Sequence, residues 1–209
     1  MKKIIFDLDN TLLFISNDWA DYYLKTFNKY QLDINPEEVY NSILEFESSH
    51  IDTIVSMQDI VDYMQETLSL PVNEEILNDL WENFSETPLL YTDKIRNLLS
   101  YLAKKYELVA YSNQFVHTQT KRLKRYNLDQ YFSKIYGWDI IPAKPSKKGI
   151  EEIIKGANKK DIIFVGDSIK YDLELSNYMG LSTIFYNRKG IKQNKYKEII
   201  DIEELKNIL

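Results

Sequence analysis

The chain has 209 residues, of which 44% are hydrophobic and none is cysteine, and its formal net charge at pH 7 is −6. The apolar content argues against disorder, and the absence of cysteine excludes disulfide bonds and thiolate metal sites. The net negative charge gives no support to nucleic-acid binding, which usually requires a basic surface. No apolar run reaches the roughly 18 residues of a membrane span, so we expect a soluble cytoplasmic protein of one to two domains without a membrane partner.

The first predicted element is a short buried strand that ends in two acidic residues. The apolar run Ile4-Ile5-Phe6 leads directly into Asp7-Leu8-Asp9. Because side chains two positions apart on an extended chain point the same way, both carboxylates start out aimed at one place. Two such charges about 5 Å apart repel each other by roughly 3 kcal/mol at an effective dielectric of about 20. A cation or a shared proton must offset this repulsion, unless both acids merely form a turn at the strand end.

Residues 15–88 show helical spacing of apolar residues and no convincing strand. Four amphipathic stretches follow one another, and the second begins at Asn35-Pro36, an N-cap followed by proline at the first helical position. Asn73 is the predicted cap of the fourth stretch. Four consecutive amphipathic helices can bury their apolar stripes against one another, which predicts a small helical bundle inserted after the first strand.

Beyond residue 88 the pattern changes to strands that alternate with helices. Four apolar segments are predicted as buried strands, at 107–111, 134–136, 162–165 and 182–186. Helical stretches lie between them, and Ser146 is the predicted N-cap of one. This alternation predicts an α/β fold with a parallel sheet, in which ligands bind at the carboxyl ends of the strands.

Polar residues follow two more of the predicted strands. Ser112-Asn113 comes directly after the second strand, and Gly166-Asp167-Ser168 comes directly after the fourth, with Asp172 five residues beyond Asp167. Lys144-Pro145 lies shortly before a predicted helix. Each fragment taken alone is also explained as a turn, a helix cap or a surface lysine. Their combination and order are far more specific than any one of them.

The order Asp-x-Asp-x-Thr, Ser, Lys and Gly-Asp-Ser-x-x-x-x-Asp resembles the haloacid dehalogenase superfamily, specifically its phosphatase branch. The resemblance covers nearly the whole chain. It implies a Rossmann-like parallel-sheet core made of residues 1–14 and 89–209, with residues 15–88 inserted as a helical-bundle cap between the first and second motifs. Dehalogenating members lack an acid at the position of Asp9, so its presence favours phosphoryl transfer.

The resemblance also implies a role for each motif residue. Asp7 is expected to be the nucleophile and Asp9 the general acid and base, with Thr11 orienting their loop. Mg²⁺ is the implied cofactor, because it prefers oxygen ligands and shares carboxylates with phosphate. Its implied ligands are Asp7, the main-chain carbonyl of Asp9, Asp167 and Asp172. The implied phosphate-binding residues are Ser112, Asn113 and Lys144.

Two positions depart from the usual motifs. Asn10 stands where many capped members carry glycine, and we expect little effect because asparagine tolerates a left-handed backbone. The lysine motif reads Ala-Lys-Pro-Ser-Lys-Lys-Gly, so Lys147 and Lys148 are rivals to Lys144 as the phosphate-binding lysine. Pro145 favours Lys144, because it fixes the backbone at the start of the following helix.

The predicted function is hydrolysis of a small phosphate monoester by a Mg²⁺-dependent phosphatase that forms an aspartyl-phosphate. One expected substrate class is a nucleoside monophosphate, because Trp19, Tyr22 or Tyr23 could stack on a nucleobase, and the other is a sugar phosphate. A phosphomutase and a catalytically silent binding protein on the same fold remain alternatives. The sequence carries no signal for an oligomeric state.

Overall fold

The computed structural model describes residues 2–209, apart from the side chain of Leu68, so residue 1 of the predicted core lies outside the described part. The strands of its central sheet are β1 (Lys3–Phe6), β4 (Glu107–Tyr111), β5 (Lys134–Tyr136), β6 (Ile162–Gly166), β7 (Ser182–Tyr186) and β8 (Lys197–Ile199). They are all parallel and follow the order β5-β4-β1-β6-β7-β8. The predicted α/β fold is therefore confirmed.

Helices cover the sheet and fill the long insertion. Their bounds are α1 Ala20–Lys29, α2 Pro36–Ser49, α3 Met57–Leu68, α4 Glu74–Glu86, α5 Thr92–Leu102, α6 Val116–Arg125, α7 Lys147–Ile154, α8 Glu174–Tyr178 and α9 Leu205–Ile208. The predicted caps are confirmed, because Asn35 accepts from the N–H of Glu37 and Asn73 from that of Ile76. Among residues 2–209, no helix has the length and apolar character that crossing a membrane requires.

The helices α1 to α4 pack around one buried hydrophobic cluster. Phe27, Phe46 and Leu80 belong to this cluster, each at most 1% exposed. Phe115 and Trp138, which lie outside the insertion, join the same cluster. The bundle is therefore packed against the sheet-containing part of the chain through shared apolar contacts.

The sequence analysis did not predict three short strands. β2 (Phe14–Ile15) and β3 (Leu89–Leu90) pair as an antiparallel ribbon where the chain enters and leaves the helical insertion. Two residues are too few to show any alternation of polar and apolar side chains. β8 is an edge strand whose Lys197 and Glu198 are exposed, so it lacks the apolar run that marks a buried strand.

The site is positioned by the central strand β1, which lies between β4 and β6. Phe6 is level with Ala110 on one side and Val165 on the other. Ile4 and Phe6 belong to one buried cluster and Ile5 to another, because successive side chains point to opposite faces. Both faces of the sheet are thus covered, and the polar residues that follow these strands meet at its carboxyl edge.

Candidate active site

Three strand ends and one helix start bring the predicted polar residues together. Asp7 directly follows β1, Ser112 follows β4 and Asp167 follows β6. Lys144 lies in the loop before α7, and its Nζ is 2.6 Å from Asp7 Oδ1. All four residues line one cavity. Motifs that are far apart in the sequence therefore share a single site.

The carboxylate of Asp7 is buried and held from both sides. Its Oδ2 accepts a 2.7 Å hydrogen bond from Thr11 Oγ1, while its Oδ1 accepts from Lys144. Asn10 adopts the expected left-handed conformation, with φ of 63°, in the turn that brings Thr11 back to Asp7. Burial raises the pKa of Asp7 to about 7, since the attraction of Lys144 does not offset burial and the repulsion of neighbouring acids.

Two further carboxylates stand beside Asp7. One oxygen each from Asp7, Asp167 and Asp172 lies within 4.8 Å of those of the other two. Asp172 Oδ2 accepts from the N–H of Ser168 at 3.0 Å. A Cβ on Gly166 would come within 2.3 Å of that same oxygen, so only glycine allows the approach. Burial, followed by repulsion from Asp172, raises the pKa of Asp167 to about 6.

The chemistry of this donor set fits Mg²⁺. Three carboxylates face the single ammonium of Lys144, so the site holds more negative charge than its own cation can balance. The donors are all oxygens, which Mg²⁺ prefers over nitrogen or sulfur. Asp7, Asp167 and Asp172 are therefore the side chains that could hold the ion. The Asp9 carboxylate is not part of this cluster, and the ligand predicted at Asp9, its main-chain carbonyl, stays a prediction.

Lys144 is buried between Asp7 and Asp172, and its Nζ is 2.8 Å from Asp172 Oδ1. Desolvation works to lower its pKa, but the attraction of Asp172 and Asp7 outweighs this and raises it, so Lys144 stays charged. Asn113 fixes the Lys144 backbone, donating to its carbonyl at 2.9 Å and accepting from its N–H at 2.8 Å. The Asn113 side chain thus holds Lys144, and its predicted contact with phosphate stays a prediction.

The two rival lysines lie outside the cavity. Lys147 is exposed and places its Nζ 3.6 Å from the ring centre of Tyr178. Lys148 is also exposed and pairs with Asp52 at 3.5 Å. Of the three lysines, Lys144 alone lines the cavity that contains Asp7.

The Asp9 carboxylate is held by two residues of α6 that the sequence analysis missed. Its Oδ2 accepts a 2.6 Å hydrogen bond from Gln119 Nε2, and its Oδ1 forms an ion pair with Arg122 Nη1. The available signal was weak: the inward positions of α6 are 118, 119, 122 and 123, and only Leu123 among them is apolar. A helix that buries mostly polar side chains indicates a polar partner inside the protein.

Helical residues of the insertion form much of the wall of this cavity, whose volume is about 300 Å³. The lining side chains from residues 15–88 are mainly aromatic: Trp19, Tyr22, Tyr23, Tyr40, Trp81 and Phe84. The rings of Trp19 and Tyr40 lie 4.8 Å apart, and both side chains are partly exposed. All three rings that the sequence suggested for stacking thus border the site.

Glu47 is the acidic residue that α2 contributes to the same wall. Burial raises the pKa of Glu47 to about 7, against the opposing effects of a hydrogen bond from Asn113 and the charge of Lys144. A carboxyl group that resists ionisation therefore borders the cavity on the insertion side.

Comparisons with known proteins agree with this architecture. A family model described as haloacid dehalogenase-like hydrolase matches residues 4–186. The pyrimidine 5'-nucleotidase PynA of Streptococcus pneumoniae (strain ATCC BAA-255 / R6) is 28% identical over 124 residues, a match covering 53% of this chain and about half, 52%, of that protein. The phosphoglycolate phosphatase of Aquifex aeolicus (strain VF5) is 26% identical over 191 residues, covering 88% of this chain and 83% of the relative.

Solved structures share the fold. The protein YfnB from Bacillus subtilis, crystallised with bound magnesium, superposes with a TM-score of 0.77 at 22% identity, covering 100% of this chain and 98% of that one. Solved 2-haloacid dehalogenases share the fold as well. These similarities establish the architecture, and the family model extends over most of the sequence. The chain therefore belongs to the haloacid dehalogenase-like hydrolases.

Proposed function

We propose that this protein is a Mg²⁺-dependent phosphatase that hydrolyses a small phosphorylated metabolite through an aspartyl-phosphate. The carrying observation is the buried pairing of Asp7 with Lys144 beside two further carboxylates at one edge of the sheet. A phosphate monoester is close to a dianion at neutral pH, so an anionic nucleophile reaches it only where cations balance its charge. Lys144 supplies one such charge, and bound Mg²⁺ would supply Lewis-acid stabilisation of the phosphoryl oxygens.

The proposed reaction has two steps. Asp7 first attacks phosphorus, and the bond to the leaving oxygen breaks while Asp9 gives that oxygen a proton. Asp9 then takes a proton from the water that attacks the same phosphorus, and the bond between phosphorus and Asp7 breaks to release inorganic phosphate. In both steps Ser112 offers a hydrogen bond and Lys144 a charge to the non-bridging oxygens. Thr11 keeps the carboxylate of Asp7 oriented.

Asp9 favours phosphoryl transfer over dehalogenation. A halide leaves without a proton, whereas an alkoxide leaving group gains from one. Asp9 lines the cavity together with Asp7, which supports its role as the proton donor.

Residues 15–88 are proposed to act as a cap that covers the site and selects the substrate, with residues 1–14 and 89–209 as the catalytic core. A cavity of about 300 Å³ is at the small end of ligand pockets, which suits a small metabolite. The name of PynA supports a nucleoside monophosphate as substrate, whereas the other relative is named for phosphoglycolate, a small phosphorylated acid that is not a sugar phosphate. The aromatic wall favours the nucleotide, because Tyr22 or Tyr40 could stack on its base.

Turnover of a panel of phosphorylated metabolites and aryl phosphates tests the proposal. We expect turnover that EDTA abolishes and Mg²⁺ restores, and an Asp7→Asn variant that is about 10³-fold slower or worse while still folded. Asp93→Asn is the matched control, because Asp93 is an exposed acid on α5, and it should keep the wild-type rate. An Asp7→Asn variant with the wild-type rate contradicts the nucleophile assignment.

The same panel separates the alternatives. A phosphomutase would need a bisphosphate activator and leave its product phosphorylated, whereas a silent binding protein would bind a phosphate ester without turnover. A dehalogenase would release halide from 2-haloacids and leave every phosphate ester intact.

A further inference from the structure

Two long polar side chains of α6, Gln119 and Arg122, are completely buried, each with a relative exposure of 0%. They lie three positions apart and therefore share one face of the helix. A buried guanidinium is costly unless an anion and hydrogen bonds compensate it. The contacts of these two residues therefore reveal their role.

The contacts form one small network around Asp9. Arg122 Nη1 donates to Asp9 Oδ1 and to Gln119 Oε1, the latter at 2.9 Å. Gln119 Nε2 donates to Asp9 Oδ2 at 2.6 Å and to Ser112 Oγ at 2.8 Å. Each nitrogen uses both of its hydrogens, and each oxygen of Asp9 receives one donor. The Asp9 carboxylate is thus held in a single orientation.

The network also sets the direction of the Ser112 hydroxyl. Ser112 Oγ accepts from Gln119 Nε2 and, at 3.1 Å, from the N–H of Gln114. A hydroxyl has two lone pairs and one hydrogen, so both acceptor sites are in use and the hydrogen remains for another group. Since Ser112 lines the cavity, that hydrogen is available to a phosphoryl oxygen.

Arg122 is not arranged for the strongest ion pair. Its Nε and Nη2 are buried without a hydrogen-bond partner among the described residues, so Arg122 does not form a bidentate ion pair with Asp9. Its guanidinium instead lies 4.1 Å from the ring centre of Phe84 on α4. Arg122 thus contacts the Asp9 loop on one side and the helical insertion on the other. An arginine that served stability alone would be expected to use all of its buried donors, whereas Arg122 directs one nitrogen at Asp9 and leaves two donors without a partner among the described residues.

We propose that Gln119 and Arg122 are positioning residues that orient Asp9 for proton transfer and Ser112 for donation to phosphate. The inference rests on the function proposed above. Neither residue lines the cavity, so both act through Asp9 and Ser112 and do not touch the substrate. Without them the side chain of Asp9, which is 33% exposed, is free to adopt other rotamers.

The test compares kcat/KM for phenyl phosphate and 4-nitrophenyl phosphate, which have similar shapes and different leaving groups. 4-Nitrophenolate is the weaker base, so its departure depends far less on a proton from Asp9. We expect Asp9→Asn, Gln119→Met and Arg122→Met each to lose at least about 10-fold more activity on phenyl phosphate than on 4-nitrophenyl phosphate. Gln119→Met removes no charge, so it carries the test if Arg122→Met fails to fold.

Two controls separate positioning from a merely structural role. Adding Gln119→Met to Asp9→Asn should cause no further selective loss, because residues that act as a unit are non-additive. Lys121→Met, an exposed neighbour on the same helix, should keep both rates. Equal losses on both substrates, or a selective loss on phenyl phosphate that adds to the selective loss of Asp9→Asn, overturn the proposed orientation of Asp9. A wild type without Mg²⁺-dependent turnover instead overturns the proposed function, and this inference with it.

Discussion

Replacing Glu47 with glutamine is expected to change the stability of the protein in a way that depends on pH. Glu47 lies on α2 in the wall of the cavity, where burial raises the pKa of its carboxyl from 4.5 to about 7. Asn113 and Lys144 oppose this shift and do not overcome it. The folded state therefore holds the Glu47 proton more tightly than the unfolded state does, and ionisation of this group works against folding.

The sign and size of the effect follow from the two pKa values. Below about pH 4.5 both states are protonated and Glu47 costs no stability. As the pH rises the unfolded state ionises first, so the native state loses stability until the pH passes about 7, and the full cost persists above that. For a shift from 4.5 to about 7, the loss between pH 5 and pH 8 is about 2.5 kcal/mol. Glu47→Gln cannot ionise and should escape this loss.

The assay is urea unfolding of both proteins at pH 5, 6, 7 and 8 without Mg²⁺ or phosphate. The free energy of unfolding of Glu47→Gln, relative to wild type, should rise by about 2.5 kcal/mol from pH 5 to pH 8. Glu45→Gln replaces an exposed glutamate on the same helix and controls for the effect of the substitution itself. A flat profile for Glu47→Gln, or one that falls with pH, would refute the reasoning.

Three further predictions concern the metal site, the lysine and the helical cluster. Mg²⁺ at about 100 times its Kd should stabilise the wild type by about 2.7 kcal/mol in thermal unfolding, and Asp167→Asn should lose most of that gain. Lys144→Met should lower Mg²⁺-dependent turnover by about 10²-fold or more, because it removes the buried charge beside Asp7, whereas the exposed Lys148→Met should change it less than about twofold. Leu80→Ala should cost about 2–5 kcal/mol in urea unfolding and the exposed Leu24→Ala under about 1 kcal/mol, and equal values would contradict the burial argument.

Much of the fold could be predicted from the sequence, because strands and helix starts are marked by patterns of neighbouring residues. A buried strand of a parallel sheet is marked by a short apolar run. A helix start is marked by an asparagine or serine whose side-chain oxygen accepts from a backbone N–H of the first turn, as at Asn35, Asn73 and Ser146. The strand β8 was not readable, since an exposed edge strand needs no such run. The ribbon of β2 and β3 is held by pairing across the whole insertion, which no local pattern records.

The sequence by itself determined that Asp7, Ser112 and Asp167 follow strands, because each of these polar residues comes directly after a local apolar run. Pro145 already favoured Lys144 among the three lysines, and the tertiary structure places Lys144 in the cavity that contains Asp7. Tertiary structure alone decided that the side chain of Asn113 holds the Lys144 backbone. It also decided what holds Asp9, whose partners lie 110 and 113 positions away. Such contacts depend on how α6 packs against the β1 loop, and side-chain partners chosen by packing leave no periodicity in the sequence.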